Sequence, residues 1–525
     1  MKKNTYYETI EYNTFHEMLF SLYTNCAEVA AIRYMKKKDM VEITYGRMLQ
    51  EISNLTGFYQ ANGMKNVHVG ILSENRYEYI TIYLSAVFQN VIAPIDKEMT
   101  GRDLEQLVEK FDIKVLFYTD KTKEILQKAE LPETLGLFNL DECYGSIMEK
   151  EYPLEDFWKD TQNVQKDKFS VLAFTSGTTG ELKGVMLSQY NILSNLRAAI
   201  ENNVLKSPTL SVLPMNHTYG FNPGVLNTFY NGGTLCINME LKYIGRDLKL
   251  FQPYFVGVVP MMVEGIYNNI IREAKRQNKY DALMRLIQIS NFLRKFKIDL
   301  RRLFFGNILC KNLRLMVSGG APLNQMYVEK FEELGIKLLN GYGLTECAPL
   351  VAVNRAVHMV PDSVGTIIRE DEVLIDEDGE ILVKGPNVML GYYKDEQATK
   401  ESIVNGYFRT GDFGYKEDNV LFVTGRKKNL IILENGKNFS PEVLEAKLLE
   451  LPYVKECIVT TRKRETNTLI VALIYPEGNT DSLQQDLEKL NAGFPSYMQI
   501  DTYEIRETEF EKNSTKKIIR SKYVK

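Results

Sequence analysis

The chain is 525 residues long and 44% hydrophobic, enough to bury several cores and to form about three or four compact units. Its 64 basic and 68 acidic residues leave a formal net charge of -4, so no bulk charge bias points to a nucleic acid partner. Six scattered cysteines (Cys26, Cys143, Cys236, Cys310, Cys347, Cys457) contain no CxxC pair, which speaks against a zinc site or a disulfide framework and for a reducing compartment.

The N-terminal MKKNTYYETIEYN has no apolar run behind its lysines and does not read as a secretory signal. VHVGILSEN at 67–75 predicts a buried strand, YEYITIYLSAVFQ a helix and NVIAPID the next strand, a βαβ unit. The apolar stretch 79–95 is interrupted by Gln89, Asn90 and Pro94 and is too short to span a bilayer, so the expectation is a cytoplasmic protein. Strand–helix alternation recurs at KVLFYTD–KTKEILQKAE and at LRLMVSGGAP–LNQMYVEKFEELG–IKLLNGYG. Such repetition predicts a mostly parallel sheet covered by helices, with ligands at the carboxyl ends of the strands, where SGGAP and NGYGLTE fall. From about 363 to 423 the pattern changes to hairpins, as in VLIDEDGEILVKGP. From about 429 to the end, helix PEVLEAKLLEL, strands KECIVTTRK and TLIVALIYP and helix SLQQDLEKLNAGF predict a small separate α+β domain.

The segment 271–303 stands apart. From Arg272 to Leu303 it carries ten Lys or Arg against three Asp or Glu, with apolar Leu283, Leu286, Ile287, Leu293 and Phe296 interleaved. One reading is a solvated amphipathic helix pair; the other is a patch for a membrane surface or an acidic partner.

The strongest chemical signal is FTSGTTGELKG at 174–184, placed after the apolar strand FSVLAF. Gly177 and Gly180 let backbone amides approach an anion closely. Thr175, Ser176, Thr178 and Thr179 add hydroxyl donors, and Lys183 adds a point charge. This is a phosphate cradle, but it lacks the GK[ST] ending of a Walker A loop.

This stretch resembles the phosphate-loop signature of the adenylate-forming (ANL) superfamily, whose members include acyl-CoA synthetases, adenylation domains of peptide synthetases and luciferases. Further motifs follow in the family's order: NGYGLTE at 340–346, YFRTGD at 407–412, GRKKN at 425–429 and EKNSTKKIIR at 511–520. Leu182 replaces the family's usual proline, and Lys428 its usual acidic hinge residue. The resemblance implies an α/β fold with a large N-terminal domain at 1–424, built of layered, mostly parallel βα subdomains plus a β-rich subdomain. A small mobile α+β C-terminal domain would follow at 425–525, hinged near Lys428. It implies ATP and Mg2+ chemistry that forms an acyl-AMP and passes the acyl group to the thiol of CoA or of a carrier-borne phosphopantetheine.

It also implies residue roles. Tyr342 would stack on adenine against Gly320, Ala321 and Pro322, and Asn340 would bond the adenine amine, with Gly341 and Gly343 completing the motif. Thr345 would contact phosphate, Glu346 would serve the magnesium ion, Asp412 would accept from the ribose hydroxyls, and Arg426 would help hold the nucleotide. Lys517 is the residue expected to bridge the reacting carboxylate and the α-phosphate, two anions that otherwise repel. His217, in LPMNHTYGF, would lie beside the reacting carboxylate, and Phe221, Met261, Gly319 and Leu344 would line the acyl pocket with it. Thr218 to Asn222 contain no carboxylate to pair with a substrate ammonium, which disfavours an amino acid. VPMMVEGIYNNI at 259–270 is similar to long-chain fatty acyl-CoA synthetases, so the expected acid is a medium- or long-chain fatty acid. An acyl-AMP ligase serving an acyl carrier protein is the alternative. The set Lys183, Glu346, Asp412 and Lys517 is more than a non-catalytic scaffold needs. The expected location is the cytoplasm, with peripheral contact at the inner membrane surface if 271–303 binds lipid.

Overall fold

The computed structural model describes residues 6–176, 182–433, 437–464, 467–512 and 518–524. Lys517 and Gly177, Thr178, Thr179 and Gly180 of the expected site lie outside the described residues.

The predicted βαβ unit forms strand His68–Leu72, helix Tyr77–Gln89 and strand Val91–Ile95. The two strands pair in parallel, with His68 opposite Val91 and Leu72 opposite Ile95. They belong to a seven-stranded sheet whose parallel part also holds Ile113–Tyr118 and Gly136–Asn139. Helix Tyr77–Gln89 is apolar around most of its circumference, and eleven of its residues are buried. A helix of that kind has to be enclosed on several sides.

The second sheet has fourteen strands among the described residues. Its parallel half includes Phe255–Val258, Leu315–Ser318 and the first part of Lys337–Gly343. Its other half is antiparallel, including the hairpin Glu372–Ile375 and Glu380–Lys384 predicted from DEDGE. Strand Lys337–Gly343 joins the halves: Lys337 to Asn340 pair in parallel with Leu315–Ser318, and Gly341 to Gly343 pair antiparallel with Leu350–Val353. The hairpin-rich region is therefore continuous with the parallel sheet.

Strand Val420–Arg426 ends this sheet, a 3-10 turn Lys427–Asn429 follows, and beyond it lies a small α+β unit. Strands Val454–Arg464 and Asn467–Pro476 form an antiparallel hairpin, and Thr502–Ile505 joins in parallel. Helices Pro441–Leu448 and Leu483–Ala492 supply Leu444, Leu448, Leu483 and Leu487 to that unit's own core. The molecule is thus a mixed α/β protein with a large N-terminal and a small C-terminal part. The basic segment falls on helices Pro260–Arg276 and Tyr280–Arg294 and the residues after them.

Candidate functional site

A cleft of about 3480 Å³ runs between the large part and the small C-terminal unit. Thr175, Lys183, His217, Met261, Gly319, Gly320, Ala321, Pro322, Asn340, Gly341, Tyr342, Gly343, Leu344, Thr345, Glu346, Asp412, Arg426 and Lys428 all line it. The structure thus brings the described site residues together, apart from Phe221 and from Ser176, whose side chain lies outside the described residues. Phe221 is a correction: its ring is buried against Tyr83 at 4.1 Å and Tyr79 at 5.8 Å, in the core between the sheets. Helix Thr218–Phe221 turns that ring inward, and Tyr219 faces the cleft instead. The Tyr219 hydroxyl donates to the carbonyls of Val317 at 2.7 Å and Val258 at 3.2 Å, so the ring spans the ends of two parallel strands.

The described ends of the phosphate-loop segment are paired strands. Strands Phe169–Ser176 and Leu182–Ser188 pair antiparallel with Thr175 opposite Lys183, leaving only 177–181 between them. The Lys183 ammonium lies over the ring of Tyr392, 4.5 Å from its centroid. Tyr392 is held there because Gly391–Tyr392 pairs with strand Leu182–Ser188, Tyr392 opposite Val185. Its hydroxyl donates to Glu346 Oε1 at 3.0 Å, while the Met389 amide donates to the Glu346 carbonyl at 2.8 Å. One tyrosine therefore touches both the loop lysine and the carboxylate of the NGYGLTE motif. Burial raises the Glu346 carboxyl above its ordinary range, opposed by the Tyr392 hydroxyl and the charges of Arg426 and Lys183.

Asp412 is nearly enclosed. Arg426, directly opposite on the neighbouring strand, places Nε 2.9 Å from its Oδ1, and the Tyr342 hydroxyl donates to Oδ2 at 2.7 Å. The YFRTGD turn is fixed by Glu380, whose buried carboxylate pairs with Arg409 and with Lys427 at 2.9 Å and accepts the Gly411 amide at 3.1 Å. Asn340 and Tyr342 stand two residues apart, on one face of their strand. Just beyond them the backbone must run close: a Cβ at Gly343 would sit 1.9 Å from the Pro349 carbonyl oxygen. Asn340 donates through Nδ2 to the Ser363 carbonyl at 3.4 Å. His217 Nε2 lies 4.0 Å from Asp96 Oδ2, a carboxylate from the end of strand Val91–Ile95 that motif reading did not foresee. Cys347, next to Glu346, is fully buried with its thiol pushed well up by that burial, the setting of a packed residue and not of a nucleophile.

The C-terminal unit meets the cleft through the segment that follows Lys517: Ile518, Ile519, Arg520 and Val524 line it. Arg520 anchors this segment by donating through Nη1 to both oxygens of Glu445, at 2.7 and 2.8 Å. Asn324 Nδ2 donates to the Leu449 carbonyl at 3.1 Å across the divide. Tyr392, Tyr219, Asp96 and Glu380 are the neighbours that sequence reasoning missed. No spacing ties positions 183, 346 and 392 together; only the strand pairing does.

A family model described as AMP-binding enzyme matches residues 23–393, and a second, described as AMP-binding enzyme C-terminal domain, matches 428–525. Among curated proteins, a long-chain-fatty-acid–CoA ligase of Mycobacterium bovis is 32% identical over 311 residues, 55% of this chain and 52% of its own. Long-chain-fatty-acid–CoA ligase 5 of Rattus norvegicus is 27% identical over 428 residues, 72% of this chain and 62% of its own. The chain thus spans about half to three-fifths of the length of these relatives. Among solved structures, an anthranilate CoA ligase in complex with anthranoyl-AMP superposes with a TM-score of 0.80 at 17% identity, over 99% of this chain and 96% of that one. A Mycobacterium tuberculosis fatty acyl CoA synthetase superposes with a TM-score of 0.69 at 20% identity, over 98% and 99%. At such identities the superpositions establish the shared fold. With five ordered motifs, the cleft they build and two family models covering both parts of the chain, the protein belongs to the AMP-binding enzyme family.

Proposed function

We propose that this protein is an AMP-forming acid–thiol ligase that activates a medium- or long-chain fatty acid with ATP and transfers the acyl group to CoA. The observation that carries this reading is convergence: Lys183, Glu346, Tyr342 and Asp412, spread over more than two hundred residues of sequence, share one cleft with the segment that follows Lys517. The relatives named as long-chain-fatty-acid–CoA ligases support the choice of acid.

In this reading Asn340 and Tyr342 hold the base against Gly320, Ala321 and Pro322, and Asp412 exchanges its present partners for the ribose hydroxyls. Thr175, Ser176 and 177–180, with Lys183 and Thr345, hold the triphosphate. The acid carboxylate lies near His217, its chain toward Met261, Gly319 and Leu344. A carboxylate oxygen attacks the α-phosphorus; the bond to the β,γ-pyrophosphate breaks, and pyrophosphate leaves. Lys517 offsets the repulsion between the two anions as the new bond forms. The thiolate then attacks the acyl carbon and AMP leaves.

Among the described residues no group of three or more His, Cys, Asp or Glu is arranged to hold a metal ion. Glu346 and Thr345 supply a single carboxylate and a hydroxyl, a donor set that fits magnesium, which keeps waters and takes most of its oxygens from phosphates. Bound there, Mg2+ would neutralise phosphate charge. The division expected at 424/425 would cut strand Val420–Arg426, whose Gly425 and Arg426 still pair within the large sheet; in this reading the pivot is Lys428, in the 3-10 turn Lys427–Asn429. Rotation about it would withdraw Lys517 after the first step and present another face of the C-terminal domain to the thiol.

The test is an isotopic pyrophosphate–ATP exchange screen over short, medium, long and aromatic acids, followed by thioester formation with CoA. Exchange that depends on a fatty acid, with acyl transfer to free CoA, is expected. Exchange with no acid at all refutes the ligase reading. Transfer to a phosphopantetheinylated carrier protein but not to CoA refutes CoA as the acceptor. Lys517→Ala should abolish exchange yet largely spare thioester formation from supplied acyl-AMP.

A further inference from the structure

Helix Tyr280–Arg294 carries large apolar side chains on its outward face as well as on the face it packs against the core. Its inner side packs through Ile287 and Ser290, and Asn291 and Arg294 bond Glu333 and Glu332. Its outward row, at successive spacings of four, three and four residues, is Arg285, Ile289, Phe292 and Phe296, one face of a helix and the turn that ends it. Phe292 is 59% exposed and Phe296 63%, their rings stacked edge-on at 5.2 Å with only solvent beyond. Ile298 and Leu303, the latter 76% exposed, extend the apolar surface past the helix end.

The charges around this row differ from those elsewhere in the segment. Arg276, Arg294 and Arg301 are each paired with a carboxylate. Among the described residues Arg285, Lys295, Lys297 and Arg302, which flank the exposed apolar side chains, have no ion-pair partner, on a chain whose overall charge is negative. Large apolar side chains projecting outward between unpaired cations have the composition of an interfacial helix: the apolar groups enter the acyl boundary while the cations meet headgroup phosphates. An acidic protein partner would account for the cations but would leave the outward phenylalanines in a polar interface.

We propose that the outward face of Tyr280–Arg294 and the residues after it, through Leu303, dock on an anionic lipid bilayer. The helix before it, Pro260–Arg276, lines the cleft through Met261, Tyr267 and Arg272. If the substrate is a membrane-partitioned fatty acid, as the preceding reading holds, docking here brings the cleft wall to the acid's reservoir.

The full-length protein is sedimented with large unilamellar vesicles of phosphatidylcholine alone or of phosphatidylcholine mixed with phosphatidylglycerol. Binding is expected only to the anionic vesicles and is expected to weaken as salt shortens the screening length from ~10 Å at 0.1 M to ~3 Å at 1 M. Each cation near such a surface changes partition about fivefold, so the combined Arg285→Glu, Lys295→Glu, Lys297→Glu and Arg302→Glu variant should lose binding by at least about a hundredfold. Phe292→Ser with Phe296→Ser, exposed changes that leave the core alone, should lose about tenfold or more. Equal binding to both vesicle types, unchanged binding by either variant, or no vesicle binding would each overturn the proposal. So would a face that captures an acidic acyl carrier protein or a second copy of this chain while ignoring vesicles. Pyrophosphate exchange with a water-soluble short acid, measured on the same variants, keeps a failure of this surface distinct from a failure of the ligase reading.

Discussion

Two buried carboxylates, Asp412 and Glu445, each pair with an arginine, and they teach opposite lessons. Glu445 is closed into its domain: Arg520 takes both its oxygens, the Val459 amide donates to Oε1 at 2.6 Å, and Arg520 Nη2 returns to the Val459 carbonyl at 3.1 Å. The backbone is part of the ring, so nothing can replace a member without loosening the fold. Both pairs border the cleft, but Asp412 is held by the side chains of Arg426 and Tyr342, and Arg426 is about half exposed where Arg520 is 21% exposed. Those partners can be exchanged for a ligand's hydroxyls. The same chemistry is architecture in one place and, in the proposed reading, a binding site in the other.

The contrast is sharpened most by Asp412→Ala. Losing two charge-assisted hydrogen bonds, at about 1.5–3 kcal/mol each, should lower pyrophosphate exchange roughly a hundredfold to ten-thousandfold while the thermal transition moves little. Glu445→Ala should do the reverse: it leaves Arg520 without its counter-charge and costs about 3–5 kcal/mol, read as a lowered unfolding transition of the C-terminal unit. If both variants lose stability equally, the distinction fails.

Tyr392→Phe should be milder, about 1.5–3 kcal/mol in the Mg2+ dependence, since it removes one bond to a charged group and keeps the ring under Lys183. Its sign in pH is fixed. In the proposed reading metal binds ionised Glu346, whose folded pKa is raised by burial, so exchange should fall as pH drops through a range above the usual carboxylate value of about 4.3. Removing the hydroxyl that favours the ionised form raises that pKa further, and the acid limb of the exchange profile should move to higher pH. A limb that stays in place excludes Tyr392 from positioning Glu346. Smallest is Gly319→Ala, whose Cβ would stand 3.1 Å from the Tyr219 ring; a shift of about 1 kcal/mol against the longest acids accepted is expected in kcat/KM.

Much of this was legible beforehand. Apolar runs such as HVGIL and VIAPI have few ways to be buried except as parallel strands, and they pair as such. Tyr342, Glu346 and Asp412, which line the cleft, could be picked out because their chemistry is local to short motifs. Tyr392 and Asp96 could not, because their importance is created by strand pairing across long separations, which no local periodicity encodes. Phe221 failed for a related reason: a four-residue helix decides which of two adjacent aromatics faces the cleft, and Tyr219 is the one whose hydroxyl finds carbonyls there. Joining the hairpin region to the parallel sheet likewise depends on one strand taking different partners along its length.

That strand, Lys337–Gly343, carries Asn340 on its parallel half and Tyr342 on its antiparallel half. Side chains alternate along it with a period of two, so deleting one residue upstream within it would swing both of the groups proposed to contact the base to the opposite side at once. Lengthening the loops at either end would move neither. The base site proposed here is therefore brittle to a one-residue frame error inside a single strand, and indifferent to much larger changes a short distance away.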